Sequence, residues 1–237
     1  ILYYQPANGN DFSYSIIEFI DGENLSTIDE SQDLSILYFE IGIMLAKLRE
    51  IKFKASGLLN DKLEIISINT KHNNFHPVTN FILDCLENKN FKLHVDTKII
   101  DSLKTLIIQN DPLLFTTDEQ SHIVHGDFKI ENIIAKQAED GAYHLSGILD
   151  WEHARSDSSY GDIATLFRGD YTKNTRNKLA FYEGFTKNGS TLIHDWDKAS
   201  KLIDLVNLCD FLCADEDRPT LHETMLIDLK KTIDYFV

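Results

Sequence analysis

Thiols are scarce in this chain: three cysteines in 237 residues, Cys85, Cys209 and Cys213. The odd count and the wide spacing exclude a disulfide framework. Cys209 and Cys213 lie four apart on an apolar helical pattern and read as small core residues rather than metal ligands. A reducing compartment, the cytoplasm, is the expectation. No run approaches the roughly eighteen apolar residues of a membrane span, and no basic segment leads into an apolar one. Without a secretion signal, the sequons at Asn24-Leu25-Ser26 and Asn188-Gly189-Ser190 carry no weight. Positive charge is also short, 23 Lys and Arg against 38 Asp and Glu, for a net charge of −15. That balance argues against nucleic acid or an anionic membrane as a partner and leans toward cationic ligands. The eleven glycines are scattered, and no GxGxxG or GxxxxGKS/T loop occurs. His72, His76 and His94 lack metal-ligand spacing. No internal repeat, low-complexity tract or long linker is visible.

What is present is a chain longer than one typical domain and short for two large ones, 43% hydrophobic and able to bury a sizeable core. Leu34, Leu37, Ile41, Leu45 and Leu48 recur at helical spacing over residues 33–51, with Gly42 and Met44 as packing residues. Further helical patterns cover residues 78–87 and 97–109, joined by a turn at Asn88-Lys89-Asn90. Residues 175–187 stop at Asn188-Gly189, a C-cap signal. Residues 198–214 place Leu202, Leu205, Val206, Cys209, Leu212 and Cys213 on one side. Thr220-x-x-Glu223 reads as a capping box opening a last helix that ends at Phe236. Residues 14–20 read as a strand closed by Asp21-Gly22.

Polar chemistry concentrates in His125-Gly126-Asp127-Phe128-Lys129-Ile130-Glu131-Asn132, with Asp150 eighteen residues further on. Ile123 and Val124 run into this stretch. A second strand, about residues 132–137, meets the turn signal Glu139-Asp140-Gly141, and an apolar run at 145–149 ends on Asp150. A turn centred near Asp140 and Gly141 pairs residues whose numbers sum to about 281. Asn132 and Asp150 then face each other at the open end of the hairpin, within one residue of register. Two oxygen-bearing side chains there, beside the Asp127 carboxylate, suit a hard cation that keeps some of its waters, as Mg²⁺ does.

The order Asp-x4-Asn, hairpin, Asp is that of a phosphoryl-transfer site. His125-Gly126-Asp127-x4-Asn132 followed by Ile148-Leu149-Asp150-Trp151-Glu152 resembles the aminoglycoside phosphotransferase and choline kinase superfamily. The resemblance implies an α+β, protein kinase-like fold, mainly its helical C-terminal lobe with a catalytic β-hairpin. It implies a small-molecule kinase that moves the γ-phosphate of ATP (or GTP), with Mg²⁺, to a hydroxyl of a small acceptor. Under it Asp127 is the catalytic base, His125 braces the loop, and Lys129 contacts the transferred phosphate. Asn132 and Asp150 hold the metal, and Asp162, in Tyr160-Gly161-Asp162-Ile163-Ala164, receives hydrogen bonds from the loop backbone. Backbone groups of Glu18, Phe19 and Ile20 would meet the adenine edge at a hinge. Glu152 and the run Asp215-Glu216-Asp217 are candidates for a cationic acceptor, against the plainer reading of solvated acids. Trp151 reads as a packing anchor and Arg155 as a salt-bridge partner. The region between residues 57 and 115 helps wall the acceptor pocket in that family, and no substrate motif stands out in it here.

One departure is large. The phosphate-covering loop, strand Lys and helix Glu that the family carries upstream of the hinge have no place before Tyr14. The sequence begins Ile-Leu-Tyr-Tyr without a Met. The expectation is the trailing part of a longer kinase, with residues 1–22 a remnant of the N-terminal lobe and 23–237 the C-terminal lobe. The rival is a pseudokinase-like binding domain that performs no transfer. A metal-dependent hydrolase built on His125, Asp127 and Asp150 would want more ligands at fixed spacing, and none is seen.

Overall fold

A computed structural model describes residues 3–9, 12–29, 31–68, 75–117, 120–170, 175–215 and 218–237. His72, Glu216 and Asp217 lie outside these. Among the described residues, short strands form three small sheets. Strands β1 (Tyr3–Gln5) and β2 (Tyr14–Ile16) pair antiparallel, Tyr3 facing Ile16. The strand expected over residues 14–20 is shorter, Tyr14–Ile16. Strand β3 (Glu23–Asn24) joins a second sheet in the order β3-β7-β8, where β7 is Ile133–Gln137 and β8 is Tyr143–Ile148. A third sheet runs β5-β4-β9-β6, from β4 (Gly57–Leu59), β5 (Ile65–Ile68), β6 (His122–Val124) and β9 (Arg155–Asp157). The hairpin expected from Asp140-Gly141 is present. Ile133 faces Ile148 and Ile134 faces Gly147, then a bulge sets Ala135 opposite Leu145.

The helices carry the bulk. Helix α1 (Ser35–Leu48) buries Leu37, Ile41 and Leu45 at the expected spacing. Helices α2 (Pro77–Glu87), α3 (Lys89–His94) and α4 (Thr97–Phe115) follow. Asn88-Lys89-Asn90 is thus not only a turn: the Asn88 side chain accepts from the N–H groups of Asn90 and Phe91 and caps α3. Helix α4 outruns its expected end at 109, passing Pro112 to bury Leu114 and to hold Asp111 Oδ1 3.0 Å from the His76 N–H. Helix α5 (Tyr160–Leu166) precedes α6 (Arg176–Thr186), α7 (Trp196–Cys213) and α8 (Pro219–Phe236). Pro219 takes the first helical position of α8, which needs no N–H there. Thr220 therefore lies inside the first turn and the expected capping box does not form.

Two cores result. Leu37, Ile41, Phe128, Ile133, Phe167, Phe181 and Trp196 gather between α1, α5, α6 and the β7–β8 hairpin. Ile82, Phe91, Ile107, Leu205, Cys209, Leu212 and Leu229 gather between α2, α3, α4, α7 and α8. Burial pushes the Cys85, Cys209 and Cys213 thiols up, as for inert core thiols.

Helices α1 and α6 meet backbone to backbone. A Cβ on Gly184 would lie 2.0 Å from the Phe39 carbonyl oxygen, and one on Gly42 2.3 Å from that of Phe181. Helix α7 is buried on a second, charged face. Arg168 binds Asp204 through Nε at 2.9 and 3.1 Å and through Nη2 at 2.6 Å. Lys178 Nζ lies 2.9 Å from Asp197 and 3.7 Å from Asp170, and the Tyr235 hydroxyl donates to Asp197 at 2.9 Å. Lys201 donates to the Phe167 carbonyl. Burial, with the nearby Lys178 charge, brings its ammonium down to about 8.

Two outcomes follow for stability. Gly→Ala inside a helix ordinarily gains about 1 kcal/mol; Gly184→Ala should instead lose roughly 2–3 kcal/mol in urea unfolding, because backbone carbonyls cannot yield. A stabilised variant would refute the close approach. Lys201 is protonated more readily unfolded than folded, so unfolding takes up protons between about pH 8 and 10.5 and stability climbs across that window. Lys201→Met should remove a rise of at most about 3 kcal/mol from the pH profile. Parallel wild-type and variant profiles would count against it.

Candidate active site

The loop between β6 and β7 is shaped by its glycine. Gly126 has φ +84, and a Cβ there would lie 2.2 Å from the His153 carbonyl oxygen, so a side chain would both strain and collide. Buried Phe128 anchors the loop in the core. Lys129 N–H donates to the Asp127 carbonyl and Asn132 N–H to that of Lys129, which coils residues 130–132 into a 3-10 turn before β7. The Asn24 side chain, capping the turn after β3, donates to the Glu131 carbonyl and ties residues 23–27 to the loop.

Asp162 holds the loop from below. Its two carboxylate oxygens accept the backbone N–H of His125 at 2.7 Å and of Gly126 at 2.9 Å. Burial pushes the Asp162 carboxyl up, while those two N–H groups and the Arg155 charge hold it back. His125 is fully buried between Trp151 and Phe128. Its Nδ1 accepts the Asp127 N–H at 3.3 Å, so Nε2 carries the proton it donates to the Leu149 carbonyl at 2.8 Å. Both ring nitrogens are spent. The ring thus ties the loop backbone at Asp127 to the hairpin end at Leu149.

Leu149 is held from both sides, since its own N–H donates to the Asn132 carbonyl at 2.8 Å. Asn132 therefore pairs with Leu149, and Asp150 is the next residue, within the one-residue tolerance of the hairpin arithmetic. Asp150 adopts φ +65, a left-handed conformation that aspartate tolerates better than most residues. Its carboxylate is exposed and has no recorded side-chain partner among the described residues. Asn132 is buried, and its Nδ2 donates to the Asp127 carbonyl at 2.9 Å and to Asp127 Oδ2 at 3.2 Å. With the amide nitrogen so occupied, Oδ1 is left as an acceptor.

This donor set fits a magnesium-like ion: one amide oxygen and one carboxylate, with Asp127 beside them and room for water and phosphate oxygens. No cluster of three or more His, Cys, Asp or Glu side chains poised for a metal occurs among the described residues. Lys129 Nζ sits 2.6 Å from Asp127 Oδ2. Partial burial raises the Asp127 carboxyl, but Lys129, the Asn132 amide and the His153 charge outweigh it and hold it below the usual carboxylate range. Asp127 is thus ionised at neutral pH.

Other candidates fall elsewhere. Glu18 and Phe19 are exposed and outside any strand. Ile20 packs on β8, where a Cβ on Gly147 would meet its Cδ1 at 2.6 Å, and Ser146 donates to the Asp21 carbonyl. Glu152 is exposed and lies 3.6 Å from His153. Trp151 donates to the Ile148 carbonyl and packs on His125; Arg155 pairs with Asp157 at 3.0 Å. Asp215 accepts from Asn90 at the α3–α7 junction, with Lys89 3.9 Å away, and the structure does not bring it to the loop. Arg168 and Asp204 escaped the sequence reading. Their only signal was a pair of charges inside apolar helical patterns. A cavity of about 320 Å³ lies by Thr175, Lys178 and Trp196, and no residue of the loop lines it.

Comparison with known proteins follows from this geometry. The sequence model of the phosphotransferase enzyme family matches residues 1–200. Curated protein sequences return no match. Among solved structures, the GDP complex of aminoglycoside 2′-phosphotransferase-IIIa is similar with a TM-score of 0.60 at 13% identity, over 92% of this chain and 70% of that one. Macrolide 2′-phosphotransferase type I gives 0.59 at 13% identity, over 92% and 68%. Choline kinase LicA from Streptococcus pneumoniae gives 0.56 at 14% identity, over 92% and 68%. At such identities the likeness speaks for the kinase-like fold.

If the Asp162 carboxylate sets the loop, Asp162→Ala should strip hydrogen-exchange protection from the His125 and Gly126 amides and cost about 3 kcal/mol. Unchanged exchange at both amides would refute that role.

Proposed function

The chain belongs to the phosphotransferase enzyme family, and we propose that it transfers the γ-phosphoryl group of ATP to a hydroxyl of a small acceptor. The observation that carries this reading is the Asn132 side chain. By giving its amide hydrogens to Asp127, it fixes the candidate base and turns its oxygen over to a cation shared with Asp150. Mg²⁺ held by Asn132 and Asp150 would neutralise charge on the nucleotide phosphates.

Asp127 orients the acceptor hydroxyl and takes its proton. A carboxyl held low is a weak base, which suits a loose transition state in which the proton leaves late and positioning does most of the work. Lys129, its ammonium partly exposed beside Asp127, supplies positive charge where the phosphoryl group passes. His125 and Asp162 hold the loop and touch no reactant. The nucleotide base lies against the backbone of residues 18–20.

Residues 1–22 are read as the end of an N-terminal lobe and residues 23–237 as the C-terminal lobe. What supports this is a set of apolar side chains with little cover among the described residues, on both sides of the β1–β2 pair and just after it: Tyr4, Phe12, Tyr14, Ile17 and Phe19 are all more than half exposed. A binding domain without transfer is the rival reading. Choline, macrolides and aminoglycosides in the names of similar structures span unlike acceptors, so the fold leaves the acceptor open. No helix among the described residues is long and apolar enough to cross a membrane.

In the complete gene product, Asp127→Asn should lower turnover about a thousand-fold, while calorimetry shows ATP and Mg²⁺ binding unchanged. Near-wild-type turnover in that variant would sink the assignment, and a wild type that binds no nucleotide would favour the rival.

A further inference from the structure

Arg155 reads in the sequence as a salt-bridge partner, and its place in the sheet gives it more to do. It is the first residue of β9 and stands opposite Val124, the last residue of β6. Directly opposed residues share a face of the sheet, so the Arg155 side chain leaves on the side of Val124. The turn at Gly126 follows two residues later. A Cβ on Gly126 would lie 2.6 Å from Arg155 Nη1, so the guanidinium fills the space in which a side chain at position 126 would stand.

Both sides of this contact are fixed. Asp157 Oδ2 accepts the Arg155 Nε–H at 3.0 Å, and Asp157 Oδ1 accepts the Ser158 N–H at 2.9 Å. One carboxylate thus orients the guanidinium and shapes the turn that leads into α5, the helix that carries Asp162. Asp162 in turn accepts the Gly126 N–H at 2.9 Å. Gly126, one residue before the candidate base, is therefore met by an arginine and by a buried carboxylate. A pair confined to Arg155 and Asp157, each partly exposed, would be worth little and would need no contact with the loop.

The Asp162 carboxylate holds both N–H groups only while ionised, because protonation turns one of its oxygens into a donor. Burial opposes that charge, and the Arg155 guanidinium favours it along with the two N–H groups. The other titratable group set against Asp162 is the His125 ring, which its hydrogen bonds keep neutral.

We infer that Arg155 is a positioning residue for phosphoryl transfer, its guanidinium filling the space that Gly126 leaves and pinning the turn before Asp127 against the Asp162 carboxylate. This rests on the phosphotransferase reading above. Asp157 acts through Arg155, by orienting it.

The test uses the complete gene product and two separate readouts. One is hydrogen exchange of backbone amides. The other is ADP release from ATP and Mg²⁺, with choline, glycerol or water as acceptor, whichever is fastest in wild type. Arg155→Gln should lose protection at the His125 and Gly126 amides while α1 keeps its own. Its kcat should fall about ten-fold, the scale of a small misplacement, with KM for ATP unchanged. The acid limb of its kcat profile should move to higher pH, since Asp162 then protonates sooner. Arg155→Lys keeps the charge without the planar fork, and should leave the acid limb near its wild-type place. In Arg155→Ala, millimolar guanidinium chloride should restore part of kcat, and sodium chloride at equal strength should not. Wild-type exchange at both amides in Arg155→Gln overturns the inference. So does protection lost across α1 and α7 alike, the mark of a general structural tie. A fall in kcat that neither lysine nor guanidinium relieves, with the acid limb unmoved, also overturns it. Wild type that turns over while the Arg155 variants match it sinks this inference alone. Wild type that binds no nucleotide by calorimetry sinks the phosphotransferase reading and this inference with it.

Discussion

One buried carboxylate carries the geometry of the site. Asp162 sits at 2% exposure and spends both oxygens on the N–H groups of His125 and Gly126. Those two peptides lie where Gly126 takes a left-handed turn, a place where the chain has no strand or helix partner for its donors. An unmet buried donor costs about 1–3 kcal/mol, so the turn exists only if something accepts from it. Asp162 can do so because α5 presents it from beneath, and α5 is itself pinned at its far end, where Lys201 bonds the Phe167 carbonyl and Asp204 grips Arg168. The loop is therefore shaped by contacts that reach α7, more than thirty residues away in sequence.

His125 passes the same constraint forward. Its ring takes the Asp127 N–H on one side and gives its proton to the Leu149 carbonyl on the other, while Leu149 N–H bonds Asn132. Loop, turn and hairpin end are thus joined through residues 125, 132 and 149, and the three oxygen-bearing side chains follow: Asp127, Asn132 and Asp150. The left-handed backbone at Asp150 costs on the order of 1 kcal/mol, and its exposed carboxylate repays nothing within the described residues. Strain with no local return belongs where a ligand supplies it.

The parts legible in the sequence were those set by local rules. Period-3.6 patterns located α1, α2, α6 and α7, and turn chemistry at Asp140-Gly141 set the hairpin register closely enough to bring Asn132 within one residue of Asp150. Strand β2 was drawn too long, because an apolar run such as Tyr14 to Ile20 does not show where pairing stops. The short helix α3 was missed because its cap, Asn88, also looks like a turn residue. The second face of α7 was illegible for a deeper reason. Lys201 and Asp204 lie outside the apolar set of that helix, and partners far off in sequence, Phe167 and Arg168 just after α5, turn that face inward.

Net charge is a weak guide to the site for the same reason. At physiological salt, exposed charges farther off than about 8 Å are largely screened, so most of the surplus acids do not bear on Asp127. What bears on it is what lies beside it, the Lys129 ammonium at 2.6 Å and the Asn132 amide at 3.2 Å. A net charge of −15 is summed over the whole chain, whereas the electrostatics of this carboxylate are set by those two neighbours.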